Sequence, residues 1–350
     1  MACKQSSPRR GIPTQAVATR GFRVASDHGS RRFLASGAPL PVIFVGACTG
    51  PQSSLDPAGR AASSIADMFW VVLALSIVVW LAVIGVAIYA MRRNRDIASD
   101  HTGLWLILGG GVIIPTVVLS VLLVWSLGVM PTLREPSRPP ALVVEISAER
   151  FWWRVRYRDA NLVVDSANEL RLPLGEPVEI ILTSPDVIHS FWVPNLAGKM
   201  DAIPGRTTRL LLEPERVGRF RGQCAEFCGT SHAQMAFAVE VMPRAGFDRW
   251  IAAEARPAVP LAGAVLFETH GCGACHMIRG TAARGTAGPD LTHVGSRRTI
   301  AAAALPMREA DLIRWIAHTE DVKPEVNMPS FAMLPRRDIE ALATYLLALK

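Results

Sequence analysis

Two long apolar segments in the first half of the chain constrain its fold more than any other feature. Met68–Met91 is 24 residues long and Gly103–Met130 is 28, and neither contains a charged side chain. A helix needs roughly 20 apolar residues to cross the hydrocarbon core of a bilayer. The alternative is a buried hairpin in a soluble domain, but no neighbouring segment is large enough to enclose it. We therefore predict a transmembrane helix hairpin over residues 65–131.

The connection between these segments predicts the orientation of the hairpin. Arg92, Arg93 and Arg95 form a short basic loop with a single acidic residue, Asp96. Lys and Arg are enriched in the cytoplasmic loops of membrane proteins. The loop is therefore predicted to be cytoplasmic. Everything after Met130 is predicted to lie on the periplasmic or equivalent outer side of a bacterial cytoplasmic membrane.

The positive net charge of the chain is a property of its N-terminus. Residues 1–47 contain seven Lys or Arg residues and one Asp, which gives +6 of the formal +7. The remainder is close to neutral, so the composition does not argue for nucleic-acid binding. Arg31, Arg32 and a short apolar stretch precede Cys48, in the outline of a bacterial lipoprotein signal. Residues 1–48 are predicted to be a leader with Cys48 as the candidate lipidation site, and an unprocessed extension is the alternative.

After the hairpin, the sequence divides into a β-rich and a helical region. Over 141–245, short β-branched and aromatic runs alternate with Pro- and Gly-rich turns, a pattern typical of a sandwich or barrel. Within Phe151–Tyr157, alternate residues are apolar, as in a strand with one buried face. A Pro-rich linker precedes 261–350, where apolar residues recur at helical spacing. The prediction is a multidomain membrane protein with a two-helix hairpin, an all-β domain and a small all-α domain.

A cluster of sulfur and imidazole side chains lies near the end of the β region. Cys224, Cys228, His232 and Met235 are close in sequence, and His189 lies on an earlier loop. Two Cys and two His suit a tetrahedral structural zinc site. The additional thioether is a soft, weak ligand that is typical of copper redox sites. The cluster favours copper, with zinc and a disulfide between the two Cys as alternatives.

A second cluster, Cys272–His276, has the sequence Cys-Gly-Ala-Cys-His and lies in the helical region. This pattern is typical of covalent c-type haem attachment. A redox dithiol or half of a zinc site is the alternative for the two Cys alone. An axial methionine raises the potential of a haem. Met328, which Pro329 follows, lies in a segment (Lys323–Pro329) that resembles the methionine loop of cytochromes c and is on that ground predicted to supply it, with Met307 and Met333 as its competitors.

The β region resembles subunit II of the haem–copper cytochrome c oxidases. The motifs that carry the resemblance are His189, Asp201–Arg206 (Asp-Ala-Ile-Pro-Gly-Arg), Gly222–Gly229 (Gly-Gln-Cys-Ala-Glu-Phe-Cys-Gly) and Ser231–Met235 (Ser-His-Ala-Gln-Met). The resemblance extends over the hairpin and the β region, roughly 65–242. It implies a cupredoxin-like barrel that holds a dinuclear copper centre.

The resemblance also implies a role for each member of the first cluster. The implied ligands are bridging thiolates from Cys224 and Cys228, terminal imidazoles from His189 and His232, a weak thioether from Met235 and the backbone carbonyl of Glu226. The side chain of Glu226 would bind a magnesium ion shared with the catalytic subunit. Two coppers that share two thiolates spread one electron over a compact unit, so little rearranges on reduction.

Residues 261–350 resemble a class I cytochrome c. The resemblance implies thioether bonds from Cys272 and Cys275 to one haem, and iron ligation by His276 and Met328. Two further features belong to the same resemblance. The loop Gly288–Leu291 (Gly-Pro-Asp-Leu) is similar to the one whose proline carbonyl orients the proximal histidine. Phe267 and Tyr345 are placed where that family packs its first and last helices together.

Two features depart from the pattern of the oxidase family. Many members carry a Glu at a proton-uptake site just before the second membrane helix, where this chain has Asp100 and His101. The aromatic patch at which electrons enter the domain is represented here by Phe151, Trp152 and Trp153. The tryptophan of the family aligns best with Phe151, so Trp152 is a second candidate for that role.

Together these patterns predict subunit II of a bacterial terminal cytochrome c oxidase with a fused cytochrome c. Electrons from a cytochrome c or a quinol–cytochrome c reductase would pass from haem to copper and on to subunit I. Subunit I would reduce oxygen to water with proton translocation, because neither apolar segment of this chain contains a histidine to bind a catalytic haem. The alternatives are nitrous oxide reduction, which would need a further His-rich domain, and a membrane-anchored copper or haem electron carrier or copper-handling protein outside an oxidase.

Overall fold

The computed structural model describes residues 49–92, 100–140, 142–159, 162–259 and 261–350. The described residues belong to a single compact unit that extends to Lys350. Two predictions fall on other residues. Cys48 and the Arg93–Arg95 part of the basic loop lie outside the described residues.

Both apolar segments are helical, as predicted. Helix α1 is Arg60–Arg92, and the second segment runs through α2 (Asp100–Trp105), a π-helical stretch (Leu106–Ile113) and α3 (Ile114–Arg134). Their most apolar windows have mean hydropathies of 3.0 and 2.5, and none of the residues in those windows is buried inside the protein. Both helices are therefore long and apolar enough to cross a membrane.

The hairpin is joined to the β domain at the start of its first helix and just after the end of its second. At the start of α1, the amide of Ala62 donates to the carbonyl of Leu196 at 3.3 Å. The guanidinium of Arg60 pairs with Glu213 at 3.2 Å. The amide of Ser137, just after α3, donates to the same carboxylate at 2.7 Å. Glu213 therefore ties the beginning and the end of the hairpin to one place on the β domain.

The β domain is a sandwich of two five-stranded sheets. In spatial order the first sheet consists of β3 (Leu162–Ala167), β2 (Trp152–Asp159), β1 (Leu142–Glu149), β5 (Val178–Thr183) and β8 (Thr208–Leu212). The second sheet consists of β4 (Glu169–Pro173), β10 (Ala236–Met242), β9 (Gly218–Cys224), β6 (His189–Trp192) and β7 (Met200–Ala202). Neighbouring strands are antiparallel except β1 with β5 and β4 with β10.

The core lies between the two sheets, because successive side chains of a strand point to opposite faces. Trp153, Val155 and Tyr157 of β2 are buried, as their alternation in the sequence predicted. The ring of Trp153 meets Phe191 and Phe237 of the second sheet edge-on, at centroid distances of 5.7 and 5.2 Å. These aromatic contacts join the sheets at the end where β6 and β9 carry the predicted ligands.

One helix was not predicted from the sequence. Helix α4 (Arg244–Glu254) follows the last strand and precedes the linker. Phe247 and Ile251 are buried, and the ring of Trp250 lies 5.0 Å from that of Tyr157. The spacing of these apolar residues is helical, so the signal was present in the sequence. The helix covers one side of the β core.

The C-terminal region is a small all-α domain, as predicted. Its helices are α5 (Ala264–Thr269), α6 (Glu309–Ala317), α7 (Thr319–Val322) and α8 (Arg336–Ala348), with a short ribbon of β11 (Thr299–Ile300) and β12 (Leu305–Pro306). Helices α5 and α8 pack through Phe267 and Tyr345, whose rings are 6.0 Å apart. A Cβ at Gly263 would lie 2.5 Å from the Cβ of Tyr345, so a glycine is needed for this approach.

Candidate copper and haem sites

The residues of the predicted copper site meet at one end of the second sheet. Cys224 is the last residue of β9, and the loop to β10 carries the other three residues of the cluster. His189 is the first residue of β6, which pairs with β9. Phe191 lies opposite Cys224 in that pairing, so His189 is near the same edge. A stiff sheet therefore positions one ligand loop and one separate histidine.

The side chains are close enough to bind metal together. Sγ of Cys224 is 3.9 Å from Sγ of Cys228 and 3.8 Å from Nδ1 of His189. Sγ of Cys228 is 3.5 Å from Nδ1 of His232 and 3.8 Å from Sδ of Met235. Ligand atoms of His189 and the two cysteines all lie within 4.8 Å of one another. The structure thus brings all five predicted ligand side chains together.

Glu226 presents its backbone and its side chain in different directions. Its carbonyl oxygen is 3.2 Å from Sγ of Cys224, at the edge of the cluster. Its side chain is exposed. The carbonyl can therefore contribute to the metal cluster while the carboxylate remains accessible from outside the domain.

Asp186 fixes the orientation of His189. Oδ1 of Asp186 is 2.8 Å from Nε2 of the imidazole, so Nδ1 faces Cys224. Burial opposes protonation of His189, but hydrogen bonds with Cys224 and Asp186 raise its pKa. Burial also works against ionisation of Asp186, and hydrogen bonds from His189 and from the amides of Val187 and Arg150 lower its pKa. A carboxylate behind a metal-binding imidazole sets the ring orientation and strengthens the ligand.

The two cysteines act as an electrostatic pair. A hydrogen bond from Cys228 lowers the pKa of the Cys224 thiol, and the same contact raises the pKa of Cys228. The thiolate is the form of cysteine that binds metals. Cys224 is therefore predisposed to bind as a thiolate.

The donor set fits copper better than zinc or a disulfide. Both cysteines are free, and their sulfurs are 3.9 Å apart, about twice the length of a disulfide bond. A zinc site would be complete with two thiolates and two imidazoles. Such a site would leave the thioether of Met235 without a bond to the metal, although Met235 is fully buried against Cys228. Soft thiolate and thioether ligands together select copper.

The predicted haem ligands line a cavity of about 340 Å³ between the helical and β domains. Cys272, Cys275, His276 and Met328 all contribute to its wall. Most of the remaining wall consists of apolar side chains from both domains. A largely apolar cavity with a few convergent polar groups is typical of a cofactor site.

His276 is held with one nitrogen free to bind a metal. Its Nδ1 is 2.8 Å from the carbonyl oxygen of Pro289, as the resemblance to cytochrome c implied. When Nδ1–H donates to this carbonyl, Nε2 keeps its lone pair. A Cβ at Gly288 would lie 2.5 Å from Cε1 of the ring, so the glycine permits the contact. Burial lowers the pKa of His276 and favours the neutral imidazole, which is the metal-binding form.

Among the three candidate methionines, the structure favours Met328. Met328 is part of the cavity wall. Met333 is 76% exposed. Met307 packs against the core of the helical domain. Met328 is therefore the one of the three whose side chain contributes to the cavity that His276 also lines.

Two buried polar atoms on the cavity wall indicate what the cavity accepts. Nε of Arg297 and Oγ1 of Thr299 have no hydrogen-bond partner within the described residues. Buried polar atoms are rarely left without a partner, because each one costs free energy. Both residues line the cavity together with the thiols of Cys272 and Cys275 and the imidazole of His276. This set of thiol, imidazole and apolar groups around one cavity fits a haem.

Both domains match known protein families. Residues 146–242 match the family described as cytochrome c oxidase subunit II, periplasmic domain, and residues 261–350 match cytochrome c. Cytochrome c oxidase subunit 2 of Alkalihalophilus pseudofirmus is 31% identical over 327 residues, which cover 88% of this chain and 94% of the relative. The chain belongs to the cytochrome c oxidase subunit 2 family. The match to the subunit II domain implies copper in the β domain, and the match to cytochrome c implies haem in the helical domain.

Other members of the family are similar to shorter parts of the chain. The subunit 2 of Bacillus sp. strain PS3 is 32% identical over 266 residues, with 71% of this chain and 73% of the relative covered. The periplasmic domain of subunit II from Bradyrhizobium japonicum is 29% identical. Its crystal structure aligns with 33% of this chain and with 95% of the Bradyrhizobium japonicum domain, and the TM-score is 0.32.

In this member of the subunit 2 family, two of the three aromatic residues predicted for electron transfer lie at the boundary between the two domains. Phe151 and Trp152 line the haem cavity from the copper-domain side, whereas Trp153 is part of the β core. Phe151 also lies against the copper-ligand loop: a Cβ at Gly229 would be 3.1 Å from its ring. Phe151 is thus in contact with both sites, and Trp152 with the haem cavity.

Lys323 lies at the same boundary, and no sequence pattern had indicated a role for it. Its side chain is 2% exposed, and Nζ donates hydrogen bonds to the carbonyls of Phe151 and Ala301. Burial lowers the pKa of Lys323 to about 7. Lysine is rarely buried, and a single Lys in a Pro-containing loop carries no periodic signal. Only the tertiary structure reveals its position.

Proposed function

We propose that this chain is subunit II of a bacterial terminal cytochrome c oxidase and that it relays electrons from a covalent haem c to a dinuclear copper A centre. From there the electrons go to the haem–copper catalytic subunit, which reduces oxygen to water with proton translocation. The observation that carries the proposal is the position of the haem cavity, which Phe151 and Trp152 of the copper domain help to line. In an independent carrier domain, the haem cavity would be lined by residues of that domain alone.

The proposed ligands are those that the structure brings together. Copper would be held by Cys224, Cys228, His189, His232, Met235 and the carbonyl of Glu226. Haem would be bound covalently through Cys272 and Cys275, with His276 and Met328 on the iron. When bound, each centre accepts and releases one electron. The exposed side chain of Glu226 supports its proposed role in a magnesium site shared with the catalytic subunit.

The remaining residues of the sites hold these ligands in place. Asp186 orients His189, and the carbonyl of Pro289 orients His276. The ligand loop is fixed between β9 and β10, with the buried rings of Trp153, Phe191 and Phe237 below it. Rigid ligand positions mean that little rearranges when an electron arrives, which favours rapid transfer.

The proposed partners follow from what the chain provides and what it lacks. The apolar segments contain no histidine, so a haem–copper subunit I would supply the oxygen site. A cytochrome c or a quinol–cytochrome c reductase would reduce the haem of this chain. The proposed location is the bacterial inner membrane, with both redox domains in the periplasm. We propose Asp100 or His101, at the start of α2, as the substitute for the usual proton-uptake Glu.

The metal content of the purified full-length protein tests the proposal. We expect two coppers and one covalently attached haem c per chain, together with co-purification of a haem–copper catalytic subunit. Elemental analysis, a denaturing gel stained for haem and mass spectrometry of the complex measure these quantities. One zinc and no copper would contradict the copper assignment. Two coppers and a haem without any catalytic subunit would favour an electron carrier outside an oxidase.

A further inference from the structure

The boundary between the two redox domains contains three alanines in an uncommon conformation. Ala301, Ala302 and Ala303 have φ angles of 53°, 56° and 59°. The side-chain Cβ disfavours this left-handed conformation by about five- to thirtyfold per residue, so it rarely occurs in succession. Residues in such conformations persist only where surrounding contacts hold them. The turn therefore depends on what it touches.

All three alanines present their carbonyls to hydrogen-bond donors. The pairs are Ala301 with Nζ of Lys323 at 3.3 Å, Ala302 with the amide of Ala236 at 3.2 Å, and Ala303 with Nη1 of Arg221 at 3.3 Å. The last two donors belong to the copper domain, in β10 and β9. The amide of Ala236 directly follows the copper ligand Met235. The left-handed turn of the haem domain is thus bound next to the copper-ligand loop.

Lys323 connects the same turn to the copper domain from the other side. Its Nζ donates to the carbonyl of Phe151 in the copper domain as well as to that of Ala301. In the part of the chain that the structure describes, no carboxylate forms an ion pair with it. Burial of an ammonium group without a counter-charge is costly unless its hydrogen bonds are satisfied. Lys323 is stabilised in this position by one carbonyl from each domain.

A third contact joins the two ligand loops. Oγ of Ser231 donates to the carbonyl of Pro324 at 2.6 Å. Ser231 is fully buried and precedes the copper ligand His232. Pro324 follows Lys323 and begins the short segment that leads to Met328. This hydrogen bond therefore links the copper-ligand loop to the axial-methionine loop.

We propose that Ala301–Ala303, Lys323 and Ser231 form an interdomain clasp that keeps the haem domain docked on the copper-ligand loop. The hydrogen bond from Ser231 to Pro324 provides an electron route between the two ligand loops, beside the aromatic contact of Phe151. The inference rests on the proposed function and adds its route. With both groups bound, this route would carry one electron from the haem held by His276 and Met328 to the copper held by Cys224 and Cys228, so that the haem would be oxidised and the copper reduced by one electron. Lys323 is a positioning residue in this route, and transfer requires no undocking.

The test uses the full-length protein with copper and haem in detergent, and compares variants of the clasp. Ser231→Ala removes the donor to Pro324, and Lys323→Met removes both of its hydrogen bonds. Ser231→Thr keeps a hydroxyl and is the conservative rescue. Ser126→Ala is the matched serine control, because its hydroxyl donates to the carbonyl of Leu122 within α3 at 2.7 Å. Lys350→Met, at the exposed C-terminus, is the lysine control.

Two measurements report on docking and on transfer. Hydrogen exchange of the Ala236 amide reports docking, since this amide donates to Ala302 across the interface. Photoreduction of the haem followed by absorbance of the copper centre gives the rate of internal transfer. Optical spectra and midpoint potentials of both centres are recorded for every variant. These confirm that the ligands themselves are unchanged.

We expect exchange at Ala236 to rise about fivefold in Ser231→Ala, and about tenfold or more in Lys323→Met, which removes one hydrogen bond to each domain. Internal transfer should slow in both variants, recover in Ser231→Thr and stay at the wild-type rate in the two controls. Spectra and potentials should stay constant throughout.

Wild-type exchange in both Ser231→Ala and Lys323→Met would overturn the clasp. Faster exchange with an unchanged transfer rate would overturn the route through Ser231. Failure of the proposed function has a different signature, because wild-type protein would then bind no copper or no haem. That result would overturn the route as well, whereas exchange at Ala236 would still report whether the domains are docked.

Discussion

Met328 and Met333 belong to the same loop, but only Met328 contributes to the wall of the haem cavity. A soft thioether ligand favours ferrous iron and raises the haem potential. We therefore expect Met328→Ala to lower the midpoint potential, by on the order of 100 mV within the roughly 0.8 V range that axial ligands set. It should also abolish the weak near-infrared sulfur-to-iron band of the oxidised protein. Redox titration and near-infrared absorption measure both effects.

The matched control is Met333→Ala, in the same loop. Met333 is 76% exposed, so its truncation should leave the potential and the band unchanged. Covalent attachment through Cys272 and Cys275 should survive in both variants. If Met333→Ala removes the band and Met328→Ala does not, the ligand has been assigned to the wrong methionine.

Single residues were predictable from the sequence where their side-chain chemistry is distinctive. Residues whose role depends only on their contacts in the folded protein were not. Cys224 and His189 were singled out by side-chain type and spacing, and Met328 by its resemblance to the methionine loop of cytochrome c. In the structure, Sγ of Cys224 is 3.8 Å from Nδ1 of His189, and Met328 lines the cavity. Lys323 and the left-handed Ala301–Ala303 turn gave no such signal. Lysine and alanine are common residues, and the role of each here arises from a surface that only the folded partner domain provides.

At the scale of single elements, the pairing of β9 with β10 depends on one glycine. Gly222 lies directly opposite Phe237, whose ring covers it. A Cβ at position 222 would lie 2.0 Å from Cζ of that ring. Gly222→Ala should therefore displace Phe237, which packs against Trp153, and lower the free energy of unfolding of the copper domain by about 1–3 kcal/mol. Denaturant unfolding followed by the copper absorption measures the change.

Gly198→Ala is the matched control for this prediction. A Cβ there would meet only Cδ1 of Ile65, at 3.7 Å, which is an ordinary contact. We expect its effect to stay within about 0.5 kcal/mol. Equal destabilisation by the two variants would show that the close approach of Phe237 is not what requires glycine at 222.

Elements were predicted well where their periodicity was long and less well where tertiary contacts set their limits. The β2 alternation and helix α8 were evident from the sequence alone. Helix α1 begins at Arg60, before the apolar segment, because its first turn packs against Leu196 and Glu213. Those contacts extend the helix through residues that have no apolar pattern. Helix α4 shows the opposite case, in which a helical pattern was present but short.

At the scale of the whole molecule, both ends of the hairpin converge on the copper domain. Arg60, at the start of α1, and Ser137, after α3, bind the same carboxylate of Glu213. A two-helix hairpin with both ends tied to one domain leaves its connecting loop on the opposite side of the membrane. The docked haem domain must then lie on the same side as the copper domain. The copper domain and the haem domain therefore lie on the same side of the membrane.

The basic loop that includes Arg92 indicates which side this is, because basic loops remain in the cytoplasm. We expect protease added to intact spheroplasts to remove both redox domains and to leave a protected fragment that contains α1 and α3. Immunoblotting for each domain and haem staining of the same gel measure the outcome. A cytoplasmic marker enzyme should stay intact, and permeabilised spheroplasts show that the marker can be cleaved. Full protection of both domains would reverse the orientation.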